Sequence, residues 1–389
     1  MKRVYFDHSA TTPVREEVIE AMLPYFDEEF GNASSIHGFG QRAREAMETA
    51  RDRIASCIGA SPEEIVFTSG GTESNNLAIK GVAAARGRGR IITSAIEHHA
   101  VLNTCTSLEE DGLEVVLLRV DKHGLVEADD LRKAIHDADG DVALVTIMTA
   151  NNEVGTIEPI RELAAVAAEA EVPFHTDAVQ VLGKIPVNVD ELGVDLLSAS
   201  AHKFCGPKGV GFLYVRGGTR IQPIQHGGHH ERSLRAGTEN VPGIVGMARA
   251  LELACEELGA EPERLHGLRD RLQQGLMDTV EDHLLNGHPT LRLPHLLNMS
   301  FANVEGEAML LSLDAVGVAA STGSACSSGT LEPSHVLTAM GVPPEIAHGS
   351  LRFSLGRINT AGDVDYVLEK LPPIIERLRQ MSPFAKEPG

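Results

Sequence analysis

Lys203 is the residue whose position in the sequence most directly indicates chemistry. It follows the apolar run DLLSAS and the pair Ala201-His202, and lysine is rarely found at the end of so apolar a run. Removal from water lowers the pKa of a lysine, and the neutral amine is a good nucleophile toward carbonyl compounds. Lys203 is therefore a candidate for Schiff-base formation.

Two other polar segments follow apolar runs in the same part of the chain. Asp177 ends the run PFHTD, and Ser69–Glu73 (SGGTE) follows IVFTS. Asp177 could cap the next turn or pair with a cationic ring nitrogen. The Gly-Gly segment could form a tight turn or bind an anion at a helix N-terminus. Parallel sheets bind ligands beyond the carboxyl ends of their strands, so these segments and Lys203 are expected to share one site. Pyridoxal phosphate requires a lysine for its aldehyde, an acidic side chain for its ring nitrogen and a binding site for its phosphate.

The elements that would position these residues alternate between short apolar runs and alanine-rich stretches over residues 60–215. This alternation predicts an α/β fold with a mostly parallel, seven-stranded sheet sandwiched by helices. The predicted strands are 65–69, 90–94, 114–120, 142–148, 173–177, 195–200 and 209–215.

The pattern changes near residue 255. Two amphipathic helical patterns, at 241–258 and 262–283, lead into sparser strands and a last helical segment. This change predicts a second, smaller α+β domain. The predicted domains are 15–255 for the large one, and 1–14 with 256–389 for the small one.

Composition and charge narrow the class of protein. The chain has 389 residues, of which 42% are hydrophobic and 23% charged, as in ordinary globular proteins. Its formal net charge of −21 disfavours binding to nucleic acid or to an anionic membrane. It has no run of eighteen apolar residues, and Asp7 and His8 lie where a signal peptide would be apolar. We therefore expect a soluble, cytoplasmic protein.

The five cysteines are scattered, and no Cys-x-x-Cys pair indicates a zinc ribbon or a thioredoxin-like site. We expect Cys57, Cys105 and Cys255 to be small buried side chains, and Cys205 to pack near Lys203. Cys326 differs, because its neighbours in STGSACSSG are small and polar, which is typical of an exposed, mobile loop. A thiol in such a loop is suited to react.

Several segments together resemble the NifS-type cysteine desulfurases, which are pyridoxal-phosphate enzymes of the class V aminotransferase family and of fold-type I. The resemblance extends from about residue 4 to about residue 357. Within this family, the motif around Cys326 is similar to that of the desulfurases with an extended catalytic loop, which here would span about 321–332. The segments that carry it are YFDHSATTP, TSGGTESNNLAIKG, MTANNEVG, HTDAVQVLGK, AHKFCGPKGVG and STGSACSSGTLEPSHVL.

The resemblance implies a role for each matching residue. Lys203 would form the Schiff base, Cys326 would be the nucleophile that becomes a persulfide, and His98 would stack on the ring and move protons. Asp177 would pair with the pyridine nitrogen and Gln180 with the ring hydroxyl. The residues implied in holding the phosphate are Gly71, Thr72, Ser200 and His202.

The resemblance also implies a substrate site and a homodimer. Asn152 and Arg352 would bind the substrate carboxylate, for which a bidentate guanidinium is well suited. Thr238 would reach the phosphate bound by the partner subunit. His99 directly follows His98. The ring-stacking role is assigned to His98 because the pair Glu97-His98 matches a Glu-His pair in the resembling family.

The predicted activity is conversion of L-cysteine to L-alanine, with sulfur passed to Cys326 and on to an iron–sulfur scaffold protein or another sulfur acceptor. A selenocysteine lyase would use the same residues, and only rates on the two substrates separate it. An aminotransferase of this fold would have no use for the Cys326 thiol. A non-catalytic assembly platform would not need Lys203, Asp177 and Arg352.

The segment Gln225–Glu231 (QHGGHHE) has the residue types of a metal site. Metal-binding histidines are commonly spaced i, i+4 on a helix, whereas glycines interrupt this segment. In the resembling family a glycine-rich segment ending in Glu-Arg occupies this place. We therefore predict no metal site.

Overall fold

The computed structural model describes residues 2–138, 141–322 and 333–381. Cys326 and most of the predicted catalytic loop, 323–332, lie outside the described residues. The described strands are β1 (Val4–Tyr5), β2 (Ile65–Thr68), β3 (Arg90–Ser94), β4 (Val115–Leu118), β5 (Val142–Thr146), β6 (Phe174–Asp177), β7 (Leu196–Ser200), β8 (Gly211–Val215), β9 (His283–Asn286), β10 (Leu296–Phe301), β11 (Val318–Ala319) and β12 (Ser350–Ser354).

Helices precede, separate and follow these strands. The described helices are α1 (Glu16–Met22), α2 (Pro24–Asp27), α3 (Gly38–Ile58), α4 (Gly71–Arg86), α5 (His99–Glu110), α6 (Ala128–His136), α7 (Ile160–Glu169), α8 (Val189–Leu192), α9 (Val241–Glu256), α10 (Glu261–Thr279), α11 (Gly306–Ala315), α12 (His335–Ala339), α13 (Pro344–Ala347) and α14 (Ala361–Met381). None of them is long and apolar enough to cross a membrane, as far as the described residues extend.

Seven strands form the central sheet, in the order β2-β8-β7-β6-β5-β3-β4. Strand β8 pairs antiparallel with both β2 and β7, and the other pairings are parallel. The sheet is therefore mostly parallel, and each of its strands overlaps one of the seven predicted runs. The predicted α/β fold is confirmed.

Helices cover both faces of this sheet because successive strand residues point to opposite sides. In β5, Val145 belongs to the apolar cluster that also contains Ile54 of α3 and Leu251 of α9. Its neighbour Leu144 belongs to a separate cluster with Leu77 of α4. Burial on both faces explains why the central strands are continuously apolar in sequence.

A second group of elements surrounds the antiparallel sheet β12-β10-β9, while β1 pairs with β11. Its apolar cluster joins Phe6, Leu272, Phe301 and Phe353, and Val367 of α14 packs into the same cluster. The N-terminal strand therefore packs with elements that follow residue 256. The division into domains at residues 15 and 255 stays a prediction.

Two expectations differ from the structure. The helix expected over 262–283 ends at Thr279, and His283–Asn286 instead forms β9. Its pairing with β10 is a long-range contact that local periodicity does not reveal. Of the three cysteines expected to be buried, Cys105 is buried. Cys57 of α3 and Cys255 of α9 are half-buried, and these two helices pack on each other.

Candidate active site

A cavity of about 300 Å³ lies where β2, β6 and β7 end. All of the described residues that the sequence analysis assigned to the site, except Thr238, line this cavity. They are Gly71, Thr72, His98, Asn152, Asp177, Gln180, Ser200, His202, Lys203 and Arg352. The carboxyl ends of three strands that run in the same direction therefore converge at one edge of the sheet.

Asp177, the last residue of β6, presents a buried carboxylate to the cavity. Asn75 Nδ2 donates a hydrogen bond to Oδ2 at 2.7 Å, and the Val179 backbone amide donates to Oδ1 at 2.9 Å. Hydrogen bonds from two donors stabilise the negatively charged form of a carboxylate. Asn75 Oδ1 is buried and has no hydrogen-bond partner among the described residues.

The N-terminus of α4 forms a second wall of the cavity. Gly70, the N-cap, has a φ of 151°, and a Cβ on Gly71 would come within 2.6 Å of Val179 Cγ2. Glycine is therefore required where the chain turns from β2 into the helix. The free amides of the first helical turn and the α4 dipole favour an anion here, beside Thr72 and Ser200.

His202 completes this anion-binding wall. Its Nδ1 lies 3.1 Å from Thr11 Oγ1. Burial, followed by the charge of Lys203, lowers the pKa of His202 to about 4. The ring is therefore neutral near pH 7 and adds a hydrogen-bonding group without adding charge.

Lys203 lies in a single helical turn, Ala201–Lys203, that directly follows β7. Its Nζ donates to the backbone carbonyls of Ser9 at 2.5 Å and Ala10 at 2.9 Å. The N-terminal segment is held in turn by the hydrogen bond from the Thr12 amide to the His202 carbonyl. The amine is thus positioned by the segment that precedes α1, more than 190 residues away in sequence.

Arg352 enters the cavity from β12 and is only 3% exposed. One terminal nitrogen donates to the Asn152 carbonyl oxygen at 2.8 Å, and the other forms an ion pair with Asp7 Oδ1 at 2.9 Å. Its Nε has no hydrogen-bond partner among the described residues. A guanidinium held in this way retains N–H groups for a carboxylate.

His98 is the N-cap of α5, and its Nδ1 accepts a hydrogen bond from the Ala100 amide at 3.0 Å. In the neutral ring the proton is then on Nε2. Burial lowers the pKa of His98, and Asp177 opposes this shift. The ring of His99 lies 4.7 Å from that of His335, and His99 is not among the residues that line the cavity.

Thr238 lies outside this cavity. Its side chain is exposed, two residues before Asn240, which caps α9. The sequence analysis also missed lining residues, namely Ser9, Ala10, Asn75, Ala100, Met148 and Val179. Several lie in the motifs DHSATTP and SGGTESNN, but only the long-range packing shows which residues in those motifs face the cavity.

The segment Gln225–Glu231 serves the fold in this structure. Glu231 is 7% exposed, accepts a hydrogen bond from the Phe67 amide at 2.8 Å and pairs with Arg51 at 2.8 Å. In the described part of the chain, no group of three or more metal-ligating side chains is placed to hold an ion.

Comparison with known proteins gives consistent matches. The family model described as aminotransferase class-V matches residues 4–367. Cysteine desulfurase IscS of Dictyoglomus turgidum is 58% identical over 391 residues, spanning 100% of this chain and 98% of the relative. Cysteine desulfurase IscS of Methanosarcina thermophila is also 58% identical, over 98% of this chain and 94% of the relative.

Solved structures match as well. A NifS-like protein is 44% identical, with a TM-score of 0.91 over 97% of this chain and 100% of that chain. A structure of SspA in complex with cysteine is 38% identical, with a TM-score of 0.80 over 90% of this chain and 98% of that chain.

Proposed function

The chain belongs to the aminotransferase class-V family and is a cysteine desulfurase that depends on pyridoxal 5′-phosphate, and we propose which of its residues carry the reaction. The observation that carries the proposal is that Lys203, Asp177 and Arg352 line one cavity. A nucleophilic amine, a buried carboxylate and a buried guanidinium are thereby brought within reach of one small molecule.

The residues of this cavity fit the cofactor. When bound, pyridoxal phosphate acts as an electron sink that stabilises negative charge at the α-carbon of an amino acid. Asp177 is suited to its pyridine nitrogen, and the buried, unpartnered Asn75 Oδ1 leaves an acceptor beside it. Lys203 would hold the cofactor covalently, and Gln180 would contact its ring hydroxyl. Gly71, Thr72, Ser200 and His202 would hold its phosphate at the N-terminus of α4.

Arg352 and Asn152 would bind the carboxylate of L-cysteine. The Asp7 ion pair and the Asn152 carbonyl fix the guanidinium plane, so little conformational freedom is lost when a second carboxylate binds. This contact orients the substrate by its carboxylate and leaves its sulfur to face another group.

Lys203 and His98 would handle the protons. Lys203 Nζ, in its neutral form, would accept the proton from the substrate α-carbon. His98 Nε2 lies on the ring edge opposite the Ala100 amide and would exchange protons with the substrate, since lowering of its pKa by burial leaves the ring neutral near pH 7.

Cys326 would take the sulfur. Its thiolate would attack the substrate sulfur, forming an S–S bond while the C–S bond breaks and its electron pair stays with carbon. Protonation of that carbon, together with return of the proton that Lys203 took from the α-carbon, completes L-alanine, and Cys326 is left as a persulfide. A sulfur acceptor, such as an iron–sulfur scaffold protein or another carrier, would then receive the sulfur from Cys326.

We further propose that the chain acts as a homodimer in which Thr238 reaches the phosphate bound by the partner subunit. Residues 19–39 carry an exposed apolar surface that supports such an interface. It comprises Ile19, Leu23, Phe26, Phe30, Ile36 and Phe39. Helix α1, within this surface, packs on α9, which begins three residues after Thr238. A cytoplasmic location, expected from the sequence, is part of the same proposal.

The decisive experiment measures sulfide and alanine released from L-cysteine in the presence of a thiol reductant. We expect the native chain to release both in equal amounts, and Lys203→Ala and Cys326→Ala to release neither. Cys57→Ala, which removes a thiol outside the cavity, is the matched control and should keep native activity. Native rates in Cys326→Ala would refute the persulfide role of Cys326. Faster release of alanine from L-selenocysteine than from L-cysteine would favour a selenocysteine lyase.

A further inference from the structure

Lys184 is a buried lysine to which the reaction described above assigns no task. It is 9% exposed, and in the described part of the chain no carboxylate lies within ion-pairing distance of it. Among the described residues, its side chain makes one hydrogen bond, from Nζ to Gln180 Oε1 at 3.4 Å. Buried lysines are normally paired, because an unpaired ammonium loses its hydration without compensation. An unpaired one beside a reaction site therefore calls for an explanation.

Lys184 lines a second, smaller cavity next to the active site. This cavity has a volume of about 70 Å³, and Lys203 lines both it and the active-site cavity. Lys184, Cys205 and His295 also line the smaller one. Lys203 is thus the residue that the two cavities share.

The other groups around Lys184 add little negative charge. Lys203 and Arg352 are positive neighbours, and within the described part of the chain Cys205 is the neighbour whose ionised form would attract Lys184. Burial, followed by the charge of Lys184, lowers the pKa of His8 to about 4, and the same two causes lower the pKa of His295 well below its usual value. Both histidines are therefore neutral near pH 7.

The acidic groups at the rim of the small cavity have partners of their own. Glu257 pairs with Arg15 at 2.8 Å, and Glu261 pairs with Arg264 at 2.7 Å. Arg357 adds a further positive charge to this rim. Among the described residues, no carboxylate that lines the cavity is thus left to neutralise Lys184.

Two amines in one buried region cannot both hold a proton without strong repulsion. Burial, and next the charge of Lys203, lower the pKa of Lys184 to about 7. The interaction is mutual, because the energy of two like charges belongs to the pair. A proton on Lys184 must therefore disfavour a proton on Lys203 by the same amount.

We propose that Lys184 is a positioning residue for the reaction, whose buried ammonium disfavours positive charge on Lys203 Nζ and so favours the neutral, nucleophilic amine. The inference rests on the proposed role of Lys203. An amine made reactive by a neighbouring cation is an established way to activate a lysine nucleophile. Here the neighbouring cation does not line the active-site cavity, so it does not occupy space needed by substrate.

The test is a pH titration of the full-length holoenzyme followed by the absorption of its bound cofactor, without substrate. Lys184→Met keeps the length of the side chain and removes its charge. We expect its titration midpoint to lie about 1 pH unit above that of the native protein, the scale of a like-charge effect in a buried site. Lys184→Arg keeps a charge and should stay near or below the native midpoint. Lys133→Met, on the exposed face of α6, is the control and should not move it.

A second measurement does not depend on the cofactor. In the cofactor-free full-length chain, the pH dependence of acetylation at Lys203, quantified by mass spectrometry, should shift in the same direction in Lys184→Met. Lys184→Gln replaces that variant if it does not fold. An unchanged midpoint in a folded, cofactor-loaded variant lacking the charge would overturn the inference. If Lys203→Ala kept the native absorption band, the proposed role of Lys203 itself would fail instead.

Discussion

Arg51 and Arg352 are equally buried, each 3% exposed, and each forms an ion pair with a carboxylate. Around Arg51 every nitrogen is used, since Nε contacts Glu48, and the two terminal nitrogens contact Glu231, Glu48 and the Ile65 carbonyl. Around Arg352 the two terminal nitrogens have one partner each, and Nε has none among the described residues.

This difference separates a cation that holds the fold together from one that is available to a ligand. Unpartnered polar atoms alone do not make the distinction, because Arg292 also has an unpartnered Nε and lines none of the described cavities. An unpartnered atom on a residue that lines a cavity is the more specific feature. Asn75 and Arg352 have it in the active-site cavity, and His8, Arg15 and His295 have it in the smaller cavity.

The largest loss of free energy is expected when the buried ion pair between Arg51 and Glu231 is broken. Glu231→Gln leaves the buried Arg51 without its countercharge, and breaking a buried pair in this way costs about 3–5 kcal/mol. We expect that loss in the free energy of unfolding, measured by urea denaturation at fixed protein concentration, with native turnover in the protein that remains folded.

The double variant Arg51→Met with Glu231→Leu is the control for this prediction. It removes both charges and should recover most of the lost stability, because no buried charge is left unpaired. Loss of turnover at unchanged stability in Glu231→Gln would contradict the distinction between the two arginines.

The sequence predicted the part of the site that depends on strand ends. Lys203, Asp177 and Gly71 each lie next to a strand whose composition identifies it. Strands β6 and β7 pair in parallel, and β2 runs in the same direction on the other side of β8, so the ends of all three lie at one edge of the sheet. It could not predict that the Ser9 and Ala10 carbonyls hold Lys203, because these contacts join the N-terminal segment to the end of β7.

The same reason explains what was missed elsewhere in the fold. Strand β9 exists because it pairs with β10, and its four residues carry no distinct periodicity of their own. Lys184 was part of the motif HTDAVQVLGK, but its burial and its closeness to Lys203 follow from the packing of several segments that are distant in sequence. Local sequence patterns specify helices and strands, whereas a buried charge without a partner arises only from the way helices and strands pack together.

A smaller change in free energy, seen in catalysis and not in stability, is expected from substitution of Arg352. Arg352→Lys keeps the positive charge but loses the planar, bidentate geometry that suits a carboxylate. We expect kcat/KM for L-cysteine to fall about 100-fold, equivalent to about 2.7 kcal/mol. The free energy of unfolding should change by about 1 kcal/mol or less, in contrast to Glu231→Gln.

Arg292→Lys is the matched control for this variant, because Arg292 is also buried and incompletely partnered but lies outside the active-site cavity. Its kcat/KM should stay at the native value. Equal losses in the two variants would show that incomplete partnering has no functional meaning, and a native kcat/KM in Arg352→Lys would remove Arg352 from the substrate site.

The smallest effect is expected at Asn75, which supports Asp177 from the first turns of α4. A hydrogen bond to a charged group contributes about 1.5–3 kcal/mol. Asn75→Ala removes the 2.7 Å bond to Oδ2 and leaves the Val179 amide as the donor to Asp177, so the carboxylate is less firmly oriented. We expect kcat to fall about tenfold, with a parallel loss of affinity for the cofactor measured by equilibrium dialysis.

Asn76→Ala is the control for this prediction. It removes a bond to the Thr72 carbonyl that does not involve Asp177, and should change neither quantity. A loss confined to the Asn75 variant would extend the distinction drawn between the two arginines to an uncharged side chain, whereas equal losses would assign the effect to the stability of α4.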